Sequence, residues 1–152
     1  MEKRMRVVKI TELPFGFDNL IEESKGEGFN FLDKMSSEWK SGKNRFSLPN
    51  ECLFAAISED EKLLGIGGLN LDPYLNDLTI GRVRHLFITS EMRSRGIGKT
   101  IIEEIVETAF PHFRLLRLKT NNPKAVNLYR SLGFSLIDHE DRSLFYMEKN
   151  LK

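Results

Sequence analysis

The stretch "RVRHLFITSEMRSRGIGKT", residues 82–100, decides how this chain folds, because it passes from a strand through a basic, glycine-bearing loop into a helix. In its first half Val83, His85 and Phe87 alternate with Arg82, Arg84 and Leu86, the period of a strand from about Thr79 to Ile88. Its last residues, Gly98-Lys99-Thr100, are those that close a nucleotide-binding P-loop, G-x-x-x-x-G-K-[ST]. That motif needs its first glycine at position 93, where Arg93 stands and would crowd the wrap around a β-phosphate. The loop is therefore read as a site for a different anion. A helix start presents unpaired N–H groups and the positive end of the peptide dipoles. Gly96 and Gly98 allow close approach, and Arg93, Arg95 and Lys99 add charge for a pyrophosphate or carboxylate. Taken alone, a plain strand-to-helix turn with solvated arginines reads the loop equally well.

Downstream, Ile97, Ile101, Ile105 and Ala109 recur at helical spacing with Ile102 and Val106, while Glu103, Glu104 and Glu107 take the wet face and Pro111 ends the run. Arg114 to Thr120 reads as a short buried strand. Asn122 can cap a second helix that begins at Pro123, buries Ala125, Leu128, Tyr129 and Leu132, and stops at Gly133 in a left-handed conformation. Strands near Phe134 to Asp138 and Ser143 to Lys149 follow. Upstream, "ECLFAAIS" from Glu51 and "LLGIGGLNL" from Leu63 form a hairpin whose glycines signal a bulge or close backbone approach. Two amphipathic segments, Phe17 to Lys25 and Asn30 to Lys40, read as helices broken at Gly26 and Gly28. Phe29, Phe31, Trp39 and Phe46 near them belong mainly to the core, with a share available to a pocket. The predicted order is helix, helix, hairpin, strand, helix, strand, helix, strand, strand. Such an α/β order packs as one mixed sheet with helices on both faces.

At 152 residues the chain fits one domain, 1–152, with a continuous core. Its 23 basic and 22 acidic side chains give a net charge of +1, so no global field recruits nucleic acid or an anionic membrane. The single Cys52 sits in an apolar run and reads as a reduced, inert thiol. No apolar stretch is long enough to span a bilayer, and "MEKRMRVVKI" lacks a signal-peptide core, which together point to a soluble cytoplasmic protein.

The motif R-x-x-G-x-G at Arg93, Gly96 and Gly98 is followed by N-x-x-A-x-x-L-Y-x-x-x-G-F at Asn122, Ala125, Leu128, Tyr129, Gly133 and Phe134. In that order the pair resembles the GNAT superfamily of acetyl-CoA-dependent N-acetyltransferases, in detail from about Arg82 to Ser135. The resemblance implies a mostly antiparallel sheet that splays between two central parallel strands, Arg82 to Ile88 and Arg114 to Thr120. Acetyl-CoA would lie in the opening as co-substrate, with no metal. The backbones of Leu86, Phe87 and Ile88 would pair with its pantetheine amides. Arg93, Ser94, Arg95, Gly96, Ile97, Gly98 and Lys99 would hold its pyrophosphate, and Asn122 its arm.

By the same resemblance a backbone N–H near Leu86 would stabilise the tetrahedral oxyanion, and Tyr129 would protonate the departing thiolate. The competing structural roles are an N-cap for Asn122 and a core side chain for Tyr129. Many relatives place a glutamate base on a central strand; the matching positions here are Arg82 and Arg117, so the base stays unassigned. His85 is a candidate, although alternation turns it away from Arg82 and Arg84 unless a bulge intervenes. Asp72, Tyr74 and Asp77 are weaker ones. Arg82, Arg84, Tyr74 and Trp39 are the candidate acceptor-side residues, the arginines as holders of an acceptor's carboxylate or phosphate or simply as solvated side chains.

The function implied is transfer of acetyl from acetyl-CoA to a small-molecule or peptide amine by direct attack in a ternary complex. The alternative is an acyl-CoA-binding sensor or interaction module without turnover. Exposed strand edges offer a route to a homodimer.

Overall fold

The computed structural model describes residues 5–137 and 144–151. In chain order the elements are β1 (Met5–Lys9), α1 (Phe17–Gly26), α2 (Phe31–Ser41), β2 (Cys52–Ser58), β3 (Leu63–Leu71), β4 (Ile80–Ile88), α3 (Ile97–Ala109), β5 (Leu115–Thr120), α4 (Pro123–Ser131), β6 (Ser135–Ile137) and β7 (Phe145–Asn150). The strands form one sheet in the order β1-β2-β3-β4-β5-β7-β6. Neighbours are antiparallel except β4 and β5, which run parallel at its centre.

The helices and the central strands lie where the sequence pattern puts them. The pattern did not foresee β1: "MRVVK" pairs with β2 from Met5 opposite Ser58 to Lys9 opposite Phe54, an edge strand too short and too charged to show a period. At the other end, Asp138 and Ser143, where the two last strands were expected to reach, lie outside the described residues.

Both faces of the sheet are covered. In β2, Cys52, Phe54 and Ala56 point to a core formed with α3 and α4, while Leu53 and Ala55 point to a second core under α1 and α2. Four isoleucines of α3, Ile97, Ile101, Ile102 and Ile105, are at most 3% exposed. At about 1.5 to 3 kcal/mol each for full burial, they outweigh the ~1 kcal/mol that Gly98 costs as a helical residue.

Two irregularities shape the centre of the sheet. Between β3 and β4 the register slips: Ile66 faces Phe87 and Gly68 faces Arg84, so His85 and Leu86 together oppose Gly67. This is a β-bulge, with His85 in the left-handed region at φ 63°. It reverses the alternation downstream. Val83, Leu86 and Ile88 face the α3 core and Phe87 faces the α1/α2 core, a correction to the unbroken alternation of the sequence pattern. Gly67 makes room for the slip: a Cβ there would lie 2.8 Å from Ile101 and 3.2 Å from Leu86.

The second irregularity is a split. β4 and β5 pair only from Ile80 opposite Leu115 to Arg82 opposite Arg117. Beyond that point the facing edges of the two strands diverge, although β4 continues to Ile88 and β5 to Thr120.

Candidate active site

The split opens into two cavities that meet between β4 and α4. The first, about 590 Å³, runs from Phe29 and Phe31 past Leu86, Phe87 and Ile88 to the start of α3 at Ser94, Gly96, Ile97, Gly98 and Lys99, with Asn122, Lys124 and Tyr129 on its far wall. The second, about 320 Å³, is lined by Phe31, Lys34, Tyr74, Arg82, Arg84, His85, Lys119 and Tyr129. Phe31, Leu86, Thr120, Asn121 and Tyr129 line both.

The floor of the first cavity is a helix start with its first N–H groups free of intrahelical bonds. Gly96 at φ 83° starts α3 in a left-handed conformation, and Ser94 at φ 63° bends the chain into it. Thr100 makes the first intrahelical bond, to the Gly96 carbonyl at 3.0 Å, which leaves the N–H groups of Ile97, Gly98 and Lys99 without an intrahelical carbonyl. Gly98 brings the helix start close to its neighbours; a Cβ there would lie 3.4 Å from Leu128 and 3.7 Å from Ile88.

Arg93 does not offer its guanidinium to this floor. Its Nη2 donates to both oxygens of Glu27, at 2.8 and 3.0 Å, and its Nε donates to the Ile88 carbonyl at 2.9 Å. The side chain fastens the loop to the C-terminal end of α1. An exposed pair of this kind is worth about 1 kcal/mol or less, so its effect is to fix the loop rather than to stabilise the fold. Arg95 is exposed and outside both linings, which leaves Lys99 as the loop's lining cation that no described carboxylate pairs.

Asn122 performs its capping role: its Oδ1 accepts from the Lys124 N–H at 3.1 Å. The cap uses only the carbonyl half of the amide, so the Asn122 NH₂ is available to a ligand in the cavity it lines. Tyr129, on the second turn of α4, is 6% exposed and packs edge-on against Phe134, ring centroids 5.7 Å apart. Burial pushes its phenol well above the usual tyrosine range, so at neutral pH it carries an O–H donor.

The bulge decides the wall of the second cavity. It swings His85 onto the face that carries Arg82 and Arg84, where its ring stacks on Phe31 at 6.1 Å and meets the edge of Phe46 at 5.9 Å. Burial first, then the charges of Arg84, Lys34 and Arg82, lower its pKa to about 3. His85 is thus neutral at pH 7, and its Nε2 is buried without a hydrogen-bond partner. Arg82 lies over the Tyr74 ring, 4.7 Å from its centroid. Asp72 turns its Oδ1 to the N–H groups of Tyr74 and Leu75, and Asp77 is held by Thr79 and Arg114; neither lines a cavity. Trp39 packs in the α1/α2 core rather than on either wall. Arg117, opposite Arg82 in register, is paired with Glu148 at 3.1 Å.

Lys34 and Lys119 are lining residues that the sequence reading missed. Lys119 was recoverable, since alternation along β5 puts it on the face of Arg117. Lys34 was not, because nothing local shows that α2 crosses over β4.

A sequence model of the acetyltransferase (GNAT) family matches residues 17–134. Among solved structures, a candidate acetyltransferase from Exiguobacterium sp. is 25% identical with a TM-score of 0.84, covering 97% of this chain and 93% of that one. An acetyltransferase of the GNAT family from Staphylococcus aureus is 17% identical with a TM-score of 0.75, covering 98% and 100%. An acetyltransferase from Streptococcus agalactiae is 16% identical, also at 0.75, covering 96% and 98%. The last two likenesses bear on the fold alone.

Proposed function

The chain belongs to the acetyltransferase (GNAT) family, and on that premise we propose that it transfers an acetyl group from acetyl-CoA to an amine by direct attack in a ternary complex. The observation that carries this reading is the junction of two cavities, one ending on a helix start and the other on a polar wall, at Leu86 and Tyr129. A donor and an acceptor can approach one point from two sides.

In the first cavity the N–H groups of Ile97, Gly98 and Lys99, with the Lys99 ammonium, would hold the pyrophosphate of acetyl-CoA, and the Asn122 NH₂ its arm. The unpaired edge of β4 beyond Arg82 would receive the pantetheine amides. The amine nitrogen attacks the thioester carbonyl carbon from the second cavity, forming the C–N bond as the carbonyl π pair moves to oxygen. A backbone N–H near Leu86 stabilises that oxyanion. Its collapse breaks the C–S bond and expels the thiolate, to which Tyr129 donates.

The raised pKa of Tyr129 makes full proton transfer to a thiolate of ordinary basicity uphill. A hydrogen bond to the developing anion is therefore the larger part of its contribution. The ammonium nitrogen gives up two protons in becoming an amide: over the whole reaction one ends on the thiolate, giving the free CoA thiol, and one goes to solvent. Among the described residues Glu27 is the lone carboxylate lining either cavity, and Arg93 occupies both of its oxygens. His85 at about 3 is too weak a base to hold the proton of an amine of pKa about 10. Among the described residues no side chain is left for this role, and water serves as the proton acceptor.

The scarcity of free carboxylates among the described lining residues is also what favours the second reading, an acyl-CoA sensor without turnover. Free-thiol release from acetyl-CoA across a panel of amines separates the two. Under the transfer reading Tyr129→Phe lowers kcat about 10- to 150-fold, the worth of one hydrogen bond to a charged group, with acetyl-CoA affinity little changed. Tight acetyl-CoA binding with no amine-stimulated release would establish the sensor.

A further inference from the structure

The second cavity carries a charge imbalance that the transfer reaction alone does not explain. Arg82 and Arg84 from β4, Lys34 from α2 and Lys119 from β5 line it, and no described carboxylate does. Four arginines outside the cavity are neutralised, Arg6 by Glu61, Arg93 by Glu27, Arg114 by Asp77 and Arg117 by Glu148, while Arg95 and Arg130, on the exposed surface, pair with no described carboxylate. Among the described residues no carboxylate stands within ion-pair distance of the four cations of the cavity. Asp72 attracts Arg82 without pairing to it and spends one oxygen on the backbone of Tyr74 and Leu75. Arg82 instead lies over the ring of Tyr74. Arg117 sharpens the contrast. It sits beside Arg82 in register, and its own carboxylate partner silences it.

Like charges gathered in a concave, partly desolvated site repel one another and focus a positive potential on whatever enters. A cationic amine such as a polyamine meets that potential as a barrier. An amine that also bears an anionic oxygen group meets a clamp, since guanidinium groups offer paired donors to a carboxylate or phosphate. We propose that the acceptor is an acidic amine, held by a carboxylate or phosphate on Arg84 and Arg82, with Lys34 and Lys119 completing the field and the reactive nitrogen directed toward Leu86 and Tyr129. This rests on the acetyltransferase reading of the site and narrows its substrate class.

The test compares amines matched in size and different in charge: β-alanine against its amide, phosphoethanolamine against ethanolamine, and putrescine. Thiol release is followed at saturating acetyl-CoA, and binding of the same amines to the CoA-loaded protein is followed by calorimetry. The expected result is about a tenfold or larger advantage of each acidic amine over its neutral partner, with putrescine the weakest. The carboxylate and phosphate arms show which anion fits. Arg84→Ala collapses the advantage, Arg84→Lys restores part of it, and acetyl-CoA affinity stays unchanged in both. Equal binding of acidic and neutral partners, or a charge preference that survives Arg84→Ala, overturns the proposal. Charge-selective binding without thiol release supports the pocket and overturns the transfer reading instead.

Discussion

Replacing His85 with asparagine tests the wall of the second cavity through the pH dependence of stability. Asparagine tolerates the left-handed backbone at φ 63° and does not titrate, so the variant removes the ionisation and keeps the bulge. In the folded protein His85 titrates at about 3, and in the unfolded chain at about 6.5. A depressed folded pKa contributes stability that is present above the unfolded value and is lost as pH falls toward the folded one. Between about pH 7 and about pH 5 the unfolded chain takes up about 0.7 of a proton that the folded chain refuses, and at about pH 5 it holds nearly a full one. Integrating that difference gives about 2 kcal/mol of destabilisation. The figure holds while the folded value stays at or below about 4, so it does not depend on how far below the window the group titrates.

The assay is urea unfolding of both proteins at the two pH values, read as a difference of differences that cancels the carboxylates they share. Wild type should lose about 2 kcal/mol more than His85→Asn on acidification. Equal losses would mean that His85 is free to ionise in the fold, and with that the argument against it as a base would fail.

At the helix start, Gly96→Ala meets no neighbour within 4 Å, so its cost is the left-handed backbone alone, about 1 to 2 kcal/mol. The strain falls on the floor of the first cavity: acetyl-CoA affinity measured by calorimetry should drop while the affinity for the amine does not. At Asn122 two substitutions separate two roles. Asn122→Ala removes the cap and should lower stability in urea unfolding by about 1 kcal/mol, whereas Asn122→Asp keeps a capping oxygen and loses the NH₂ donor. Asn122→Asp should therefore retain stability and weaken acetyl-CoA binding.

Much of the architecture was legible because its signals are local. The isoleucine spacing of α3, the Asn122-Pro123 start of α4 and the left-handed Gly133 each act within a few residues, and the structure has all three. What escaped depends on partners distant in sequence. Arg93 reads as a free phosphate ligand until Glu27, 66 residues away, takes its guanidinium. The face of His85 turns on a bulge, for which the glycines of β3 were a hint without a position. Strand β1 was lost because Arg6 and Lys9 break any period in five residues, and it is β2 that holds it. The polar wall of the second cavity was half visible: Arg82 and Arg84 share a strand, but the charge excess needs Lys34 and Lys119 from two other elements.

The three paired residues that join β4 to β5 also have a mechanical meaning. They are the short ladder by which β4 joins β5, and the core beneath, shared by both halves of the sheet, carries the rest of the connection. An extended ligand bonded to both open edges would lengthen that ladder. Whatever fills the groove then lends rigidity to the whole sheet, so that resistance to heat and slow amide exchange in β4 and β5 should track the supply of that ligand by mass action.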